Sequence, residues 1–186
     1  MAEPLVIAVV GAESTGKTAL ARALAERLSV RTGLRCTWVP EYLRRWCDVR
    51  GRTPRQHEQA GIAEQQSALI DAAARSHDVV VCDTTALMTA VYSHTVFGDD
   101  SLDASALQAH RQRASLTLLT ALDLPWVADG LQRDGPQVRE PVDTRLRQLL
   151  SVGAIGWSLV SGLGEARVNA AMAACEHLGL PARRSG

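Results

Sequence analysis

Leu5-Val6-Ile7-Ala8-Val9-Val10-Gly11-Ala12-Glu13-Ser14-Thr15-Gly16-Lys17-Thr18 is the stretch that decides the fold. Its first six residues are apolar and mostly β-branched, the pattern of a strand buried on both faces. They run directly into G-x-x-x-x-G-K-[ST]. Beyond that, Leu20, Ala21, Leu24 and Leu28 recur at helical spacing, which predicts a helix from about Lys17 to Leu28. Strand, glycine loop and helix in this register make a phosphate-binding loop. The glycines let successive backbone N–H groups turn inward, where they and the positive end of the helix hold phosphate oxygens. Gly11, Ala12, Glu13, Ser14, Thr15, Gly16, Lys17, Thr18 and Ala19 are therefore the expected nucleotide-binding set. Lys17 would bridge the β- and γ-phosphates of ATP, and the Thr18 hydroxyl would ligate Mg²⁺.

Outward from this loop, short apolar runs alternate with amphipathic stretches. Cys36–Val39, Val79–Cys82, Leu116–Leu122 and Trp157–Val160 are further strand candidates. Helical patterns begin near Glu41 and cover about 55–75, 87–96, 104–113, 142–150 and 165–178. Ile62, Leu69 and Ile70 form the buried stripe of the second of these. Such alternation predicts an α/β fold, a five-stranded parallel sheet with helices on both faces. The segment from Asp123 to Pro141 is rich in Gly, Pro, Asp and Arg and weakly periodic, so it reads as a lid of about 123–141. The expected organisation is one domain over 1–180, with 181–186 as a tail.

Composition closes several routes. Twenty basic and twenty acidic residues among 186 leave no net charge, which argues against nucleic acid as a partner. The cysteines (36, 47, 82 and 175) are far apart, and the five histidines show no ligand spacing, so no zinc site is expected. No run approaches the ~20 apolar residues of a membrane span, and no signal peptide is visible. The expected compartment is the cytoplasm, with reduced thiols. Nineteen of the basic residues are arginines, and Lys17 is the only lysine. A switch GTPase reads guanine through a lysine-containing N-K-x-D or T-K-x-D element, and with Lys17 in the loop none can exist here.

What remains is a choice between hydrolysis and transfer. Val79-Val80-Val81-Cys82 ends in Asp83-Thr84. Asp83 can help hold Mg²⁺, but the neighbouring Glu that polarises water in mechanical ATPases is missing, which favours transfer to a bound hydroxyl. A small-molecule kinase also needs a base near its acceptor, cations over the phosphoryl group and a closing lid. Glu41, at the C-terminal end of the second strand, is a candidate base; it fits equally well as a helix N-terminal acid. Asp83 is the other candidate. Arg44 and Arg45 follow Glu41, while Arg133 and Arg139 fall in the lid. Tyr42, Trp46, Tyr92 and Trp126 gather near strand ends, where a planar base could stack. Trp38 and Trp157 lie on strands and read as core.

G-A-E-S-T-G-K-T, V-P-E-Y-L-R-R, V-V-C-D-T-T and P-W-V-A-D-G-L (Pro125 to Leu131) together resemble the ribosylnicotinamide kinase domain of the NadR type. The resemblance runs from about Leu5 to Leu178. It implies a nucleoside-monophosphate-kinase-like P-loop fold and transfer of the ATP γ-phosphate to the 5′-hydroxyl of nicotinamide riboside. Carried onto this chain, it makes Gly11 to Thr18 the nucleotide loop and Asp83 the acidic strand-end group, and it puts Glu41 and Tyr42 by the riboside and Trp126 and Asp129 in the lid motif. From position alone, Arg45, Asp83 and Tyr92 are further candidates at the substrate, and Lys17, Arg133 and Arg139 are candidates at the phosphoryl group. Similar proteins follow Asp-Gly-Leu directly with Arg, whereas here Gln132 intervenes before Arg133. Fused members carry adenylyltransferase and DNA-binding domains, and neither is expected in this chain. A kinase of another nucleoside or small alcohol, and a regulatory ATP-binding protein without phosphotransfer, stay open as alternatives.

Overall fold

Valine, isoleucine and leucine dominate the strands because both sheet faces are covered. The computed structural model describes residues 3–127 and 135–182. Its strands are β1 (Leu5–Val10), β2 (Cys36–Val39), β3 (Val79–Asp83), β4 (Leu116–Thr120) and β5 (Ser158–Val160). The helices are α1 (Lys17–Thr32), α2 (Tyr42–Arg50), α3 (Gln59–Ala74), α4 (Ala86–Phe97), α5 (Asp103–Arg113), α6 (Arg139–Val152) and α7 (Glu165–Ala174). Short 3₁₀ turns precede α3 and α6 and follow α7.

The sheet order is β2-β3-β1-β4-β5, and every pairing is parallel. Successive side chains leave a strand on opposite faces, so two cores form. Ile7, Val9, Val79, Val81 and Leu118 pack against Leu20, Leu24 and Leu28 of α1 and against Val168 and Met172 of α7. On the other face, Val10 and Leu119 meet α4, α5 and α6, while Val6, Val80 and Cys82 meet Ile70 of α3. Each fully buried Leu or Ile among these stabilises the fold by roughly 1.5–3 kcal/mol. Trp157 packs against the second core from just outside β5, and Trp38 against the first from β2.

β1 lies between β3 and β4, and this arrangement makes the site. The loop leaving its C-terminal end has the end of β3 on one side and the end of β4 on the other. Open α/β sheets bind ligands at this edge. Of the boundaries that differ from the sequence reading, two bear on the site. β4 stops at Thr120, two residues short of the expected Leu122, after the Ala121 N–H completes the last ladder bond to the Val160 carbonyl. α6 starts at Arg139 after a Pro136–Val138 turn, so the last residues of the expected lid are helix. Among the described residues no helix is long and apolar enough to cross a membrane.

Candidate active site

The phosphate loop takes a backbone that few residues could adopt. Gly11 sits at φ 150°, and a Cβ there would lie 2.0 Å from Thr120 Oγ1. Gly16, at φ 75°, caps α1, whose first residue is Lys17. Beneath the loop, the Thr15 hydroxyl donates to the Ala12 carbonyl at 2.8 Å and lies 2.7 Å from the Thr120 hydroxyl. Thr120 also reaches the Val10 carbonyl at 3.2 Å. Both threonines are fully buried, so the end of β4 props the loop from inside. The Lys17 ammonium donates to the Ala12 carbonyl at 2.7 Å, which holds it over the loop.

At the end of β3, Asp83 accepts the Thr18 hydroxyl on Oδ2 at 2.5 Å. Its Oδ1 is buried and has no hydrogen-bond partner among the described residues. Burial pushes the Asp83 carboxyl above the usual carboxylate range, against the pull of Lys17, the Thr18 hydrogen bond and Arg44. A dry carboxylate oxygen beside a threonine hydroxyl at a phosphate loop is a donor set that suits Mg²⁺. The next residue, Thr84, holds φ 71°. That is rare for a β-branched side chain and costs about 1–3 kcal/mol, a cost that tends to persist only at functional sites. Thr84 is anchored by its N–H, which donates to the Val9 carbonyl at 3.0 Å. Thr85 then caps α4 and lies 3.0 Å from Nδ1 of buried His110, whose Nε2 is 2.8 Å from Thr117. Burial lowers the His110 pKa to about 4, so the ring stays neutral.

A cavity of about 830 Å³ opens over these groups. The loop from Glu13 to Ala19 forms one wall, and Glu41, Leu43, Arg44 and Tyr92 form the other. Leu124, Pro125 and Val127, at the root of the expected lid, and Leu163 complete the lining. The Ser14 hydroxyl donates to the Val127 carbonyl at 2.8 Å, which ties that root to the phosphate loop. A second tie lies behind it. Arg167, 4% exposed, pairs with Asp123 and donates to the Gly162 and Val160 carbonyls, while Asp123 accepts the Gly162 N–H at 2.6 Å.

The structure brings Lys17, Thr18, Glu41 and Tyr92 to the cavity wall, with Asp83 bonded to Thr18. Glu41 is the N-cap residue of α2, yet its side chain makes no capping hydrogen bond and lines the cavity. Other expected residues lie elsewhere. Arg45 is exposed and off the lining, where Arg44 stands in its place, because one helical step turns a side chain by about 100°. Tyr42 is half-buried and also off the lining; its backbone N–H donates to Gln66. Trp126 is half-buried between two lining residues without being one. Trp46 is stacked by its own neighbours, Arg50 at 5.5 Å and Arg52 at 4.9 Å, so its ring face is taken. Arg139 is buried and donates to the Leu124 carbonyl at 2.9 Å, which makes it an anchor of the lid root, off the cavity lining. Asp129 and Arg133 lie outside the described residues.

Sequence reasoning missed Thr120, Gln66 and the Arg167–Asp123 pair. A signal existed for the first two, a polar residue ending an apolar strand and an amide on an apolar helical stripe. Among the described residues, no three His, Cys, Asp or Glu side chains gather as a metal cluster.

Residues 6–167 match the family model described as an AAA domain. None of the curated proteins matches the sequence significantly. Among solved structures, a NadR protein in complex with NR superposes with a TM-score of 0.78 at 20% identity, over 99% of this chain and 53% of that one. A NadR protein in complex with NAD and AMP-PNP gives 0.74 at 21%, over 99% and 52%. The thymidylate kinase from Ehrlichia chaffeensis gives 0.62 at 14%, over 95% and 100%. The chain spans about half the length of the NadR chains it resembles. At these identities the likeness is one of fold.

Proposed function

The chain belongs to the AAA-domain family, and from that premise we propose that it is an ATP-dependent kinase that phosphorylates the 5′-hydroxyl of nicotinamide riboside to give NMN. One observation carries the reading: the Thr18–Asp83 pair lies at a cavity with the phosphate loop on one wall and Glu41, Arg44 and Tyr92 on the other. The cavity's volume, about 830 Å³, is on the scale of a small-molecule or cofactor site. The absence of a Glu after Asp83 supports transfer over hydrolysis. The NadR complexes with NR and with AMP-PNP support the same pair of ligands by analogy of fold.

In this reading the loop from Gly11 to Thr18 binds ATP, with its N–H groups and the α1 N-terminus directed at the phosphates. Thr18 and Asp83 would hold Mg²⁺, which offsets phosphate charge when bound. Glu41 lies on the acceptor wall, while Asp83 already gives one oxygen to Thr18. With Asp83 assigned to Mg²⁺ beside Thr18, Glu41 is the carboxylate on the acceptor side that is proposed to accept the 5′-hydroxyl proton. The hydroxyl oxygen forms the new bond to the γ-phosphorus, the bond to the bridging oxygen breaks, and ADP leaves. Lys17 and Arg44 offset charge on the transferring oxygens. Tyr92 offers a ring face to a cationic pyridinium. Residues 1–180 would act as one kinase domain, with the 123–141 segment closing over the ligands.

A kinase of another nucleoside or small alcohol is the rival reading, favoured by the shared fold of the thymidylate kinase. A coupled ADP-release assay over a nucleoside panel separates the two. Release that depends on nicotinamide riboside, with NMN detected by mass, is the expected result. Release with another acceptor alone supports the rival, and ATP binding without release supports a regulatory protein. Lys17→Ala should lower turnover by on the order of 10²–10³-fold. Wild-type rates in that variant would sink the scheme.

A further inference from the structure

Gln66 stands on the apolar stripe of α3, one turn from Ile62 and one from Ile70, and is 2% exposed. A buried primary amide is costly unless its polar atoms are met. Here they are met by two turns that belong to different parts of the chain. Oε1 accepts the Tyr42 N–H at 2.7 Å. Nε2 faces the Pro40 carbonyl at 3.4 Å and the Thr84 carbonyl at 3.5 Å. Pro40 and Tyr42 flank Glu41 on both sides, and Thr84 follows Asp83 directly. One side chain thus spans the turn that carries Glu41 and the turn that carries Asp83.

The second turn needs such support. Thr84 holds a left-handed backbone at φ 71°, and its N–H and carbonyl are bound from opposite sides by Val9 and Gln66. A strained residue keeps its geometry only while its surroundings over-determine it. Gln66 itself is not part of the cavity lining, so it acts through the backbone it holds.

We propose that Gln66 is a positioning residue for phosphotransfer: its buried amide sets Glu41 and Asp83 relative to each other across the acceptor side of the cavity. This rests on the reading of those two carboxylates given above. A residue that merely filled the core could be replaced by an apolar isostere without a specific kinetic effect. One that sets catalytic geometry could not, because displacements of about 1 Å cost up to ~100-fold in rate.

The experiment uses the full chain. Gln66→Met keeps length and apolar burial and removes all three hydrogen bonds. Ile70→Val, from the same stripe, serves as a stability control. The measurements are kcat, KM for ATP and for the acceptor, affinity for a non-hydrolysable ATP analogue, and Tm. Gln66→Met should lower kcat by about 10- to 100-fold, while KM for ATP and analogue affinity stay within about two-fold of wild type. Ile70→Val should lower Tm and leave kcat in place. The proposal is overturned if Gln66→Met keeps kcat within about three-fold, or if, at saturating Mg²⁺, kcat and nucleotide affinity fall together. It is also overturned if Ile70→Val reproduces the loss of kcat. Should Gln66→Met not fold, Gln66→Glu carries the same test, since it keeps the acceptor for Tyr42 and loses the amide donors. If the wild-type chain phosphorylates no nucleoside, the kinase reading fails on its own account. Gln66 is then judged by the Mg²⁺ concentration that analogue binding requires. A higher requirement in Gln66→Met supports its hold on Asp83, and an unchanged one refutes it.

Discussion

On the phosphate side of the cavity the wall is one continuous run, Glu13 to Ala19, whereas the opposite wall collects Glu41, Leu43 and Arg44 from one turn and Tyr92 from another helix. The first wall is built mainly by local backbone geometry, two glycines at positive φ and the start of α1, with the distant Thr120 hydroxyl propping it from beneath. The second is built by distant side chains, Gln66 holding the turns of Glu41 and Thr84 and His110 holding Thr85. The difference suggests where each wall is vulnerable. A local wall breaks through its backbone, and an assembled wall breaks through the buried polar groups that join its parts.

The largest effect should come from Gly11→Ala. The added methyl needs the space of Thr120 Oγ1 and a φ of 150° that alanine avoids. Overpacking of this kind costs about 1–3 kcal/mol, and the loop should lose nucleotide binding as well. Calorimetric titration with an ATP analogue checks it. Unaltered binding would show that the local wall tolerates backbone change, and the contrast between the two walls would break.

His110 tests the assembled wall by pH. Its pKa is lowered from the ordinary 6.5 to about 4 by burial, so between those values the unfolded chain takes up a proton that the folded chain refuses. Stability should therefore fall as pH drops from about 6.5 toward 4, by on the order of 3 kcal/mol in total. Above pH 6.5 the residue contributes no slope. The carboxyls of Glu58 and Asp78, held near 2 by hydrogen bonds from Arg52 and Arg35, add their own loss only below the ordinary carboxylate range. Denaturant melts across pH 4–7 in wild type and in His110→Asn should show this slope in the first and a flatter curve in the second. Equal slopes would remove His110 from the account.

The smallest effect separates two adjacent arginines. Arg44→Ala should lower kcat several-fold, while Arg45→Ala, exposed and off the cavity, should stay within about 0.5 kcal/mol in stability and near wild type in kcat. Steady-state kinetics on both variants decide it. The reverse order would restore Arg45 to the acceptor wall.

The five strands, their parallel sense, the helix of the phosphate loop and the loop itself were all legible in the chain, because period, glycine placement and strand-to-helix order are properties of contiguous residues. Asp83 was legible for the same reason, as the polar end of an apolar run. Where the structure places residues away from the expected site, the reason is local too. Arg45 was preferred to its neighbour because spacing alone does not say which way a helix faces. Arg139 was assigned to a lid because a proline-containing turn hid the start of α6.

That the chain binds phosphate with Gly11 to Thr18 could be argued from its letters, since backbone conformation there follows from glycine and from a helix that begins at Lys17. Which residues face that phosphate from across the cavity could not. The turn that carries Glu41 and Arg44, the helix that carries Tyr92 and the loop at Lys17 are far apart along the chain, and parallel crossovers bring them to one sheet edge. A buried amide on an apolar stripe looks like an error in one dimension. In three it is the point where two turns meet, because the unpaired carbonyl and N–H groups of those turns have to find partners away from water.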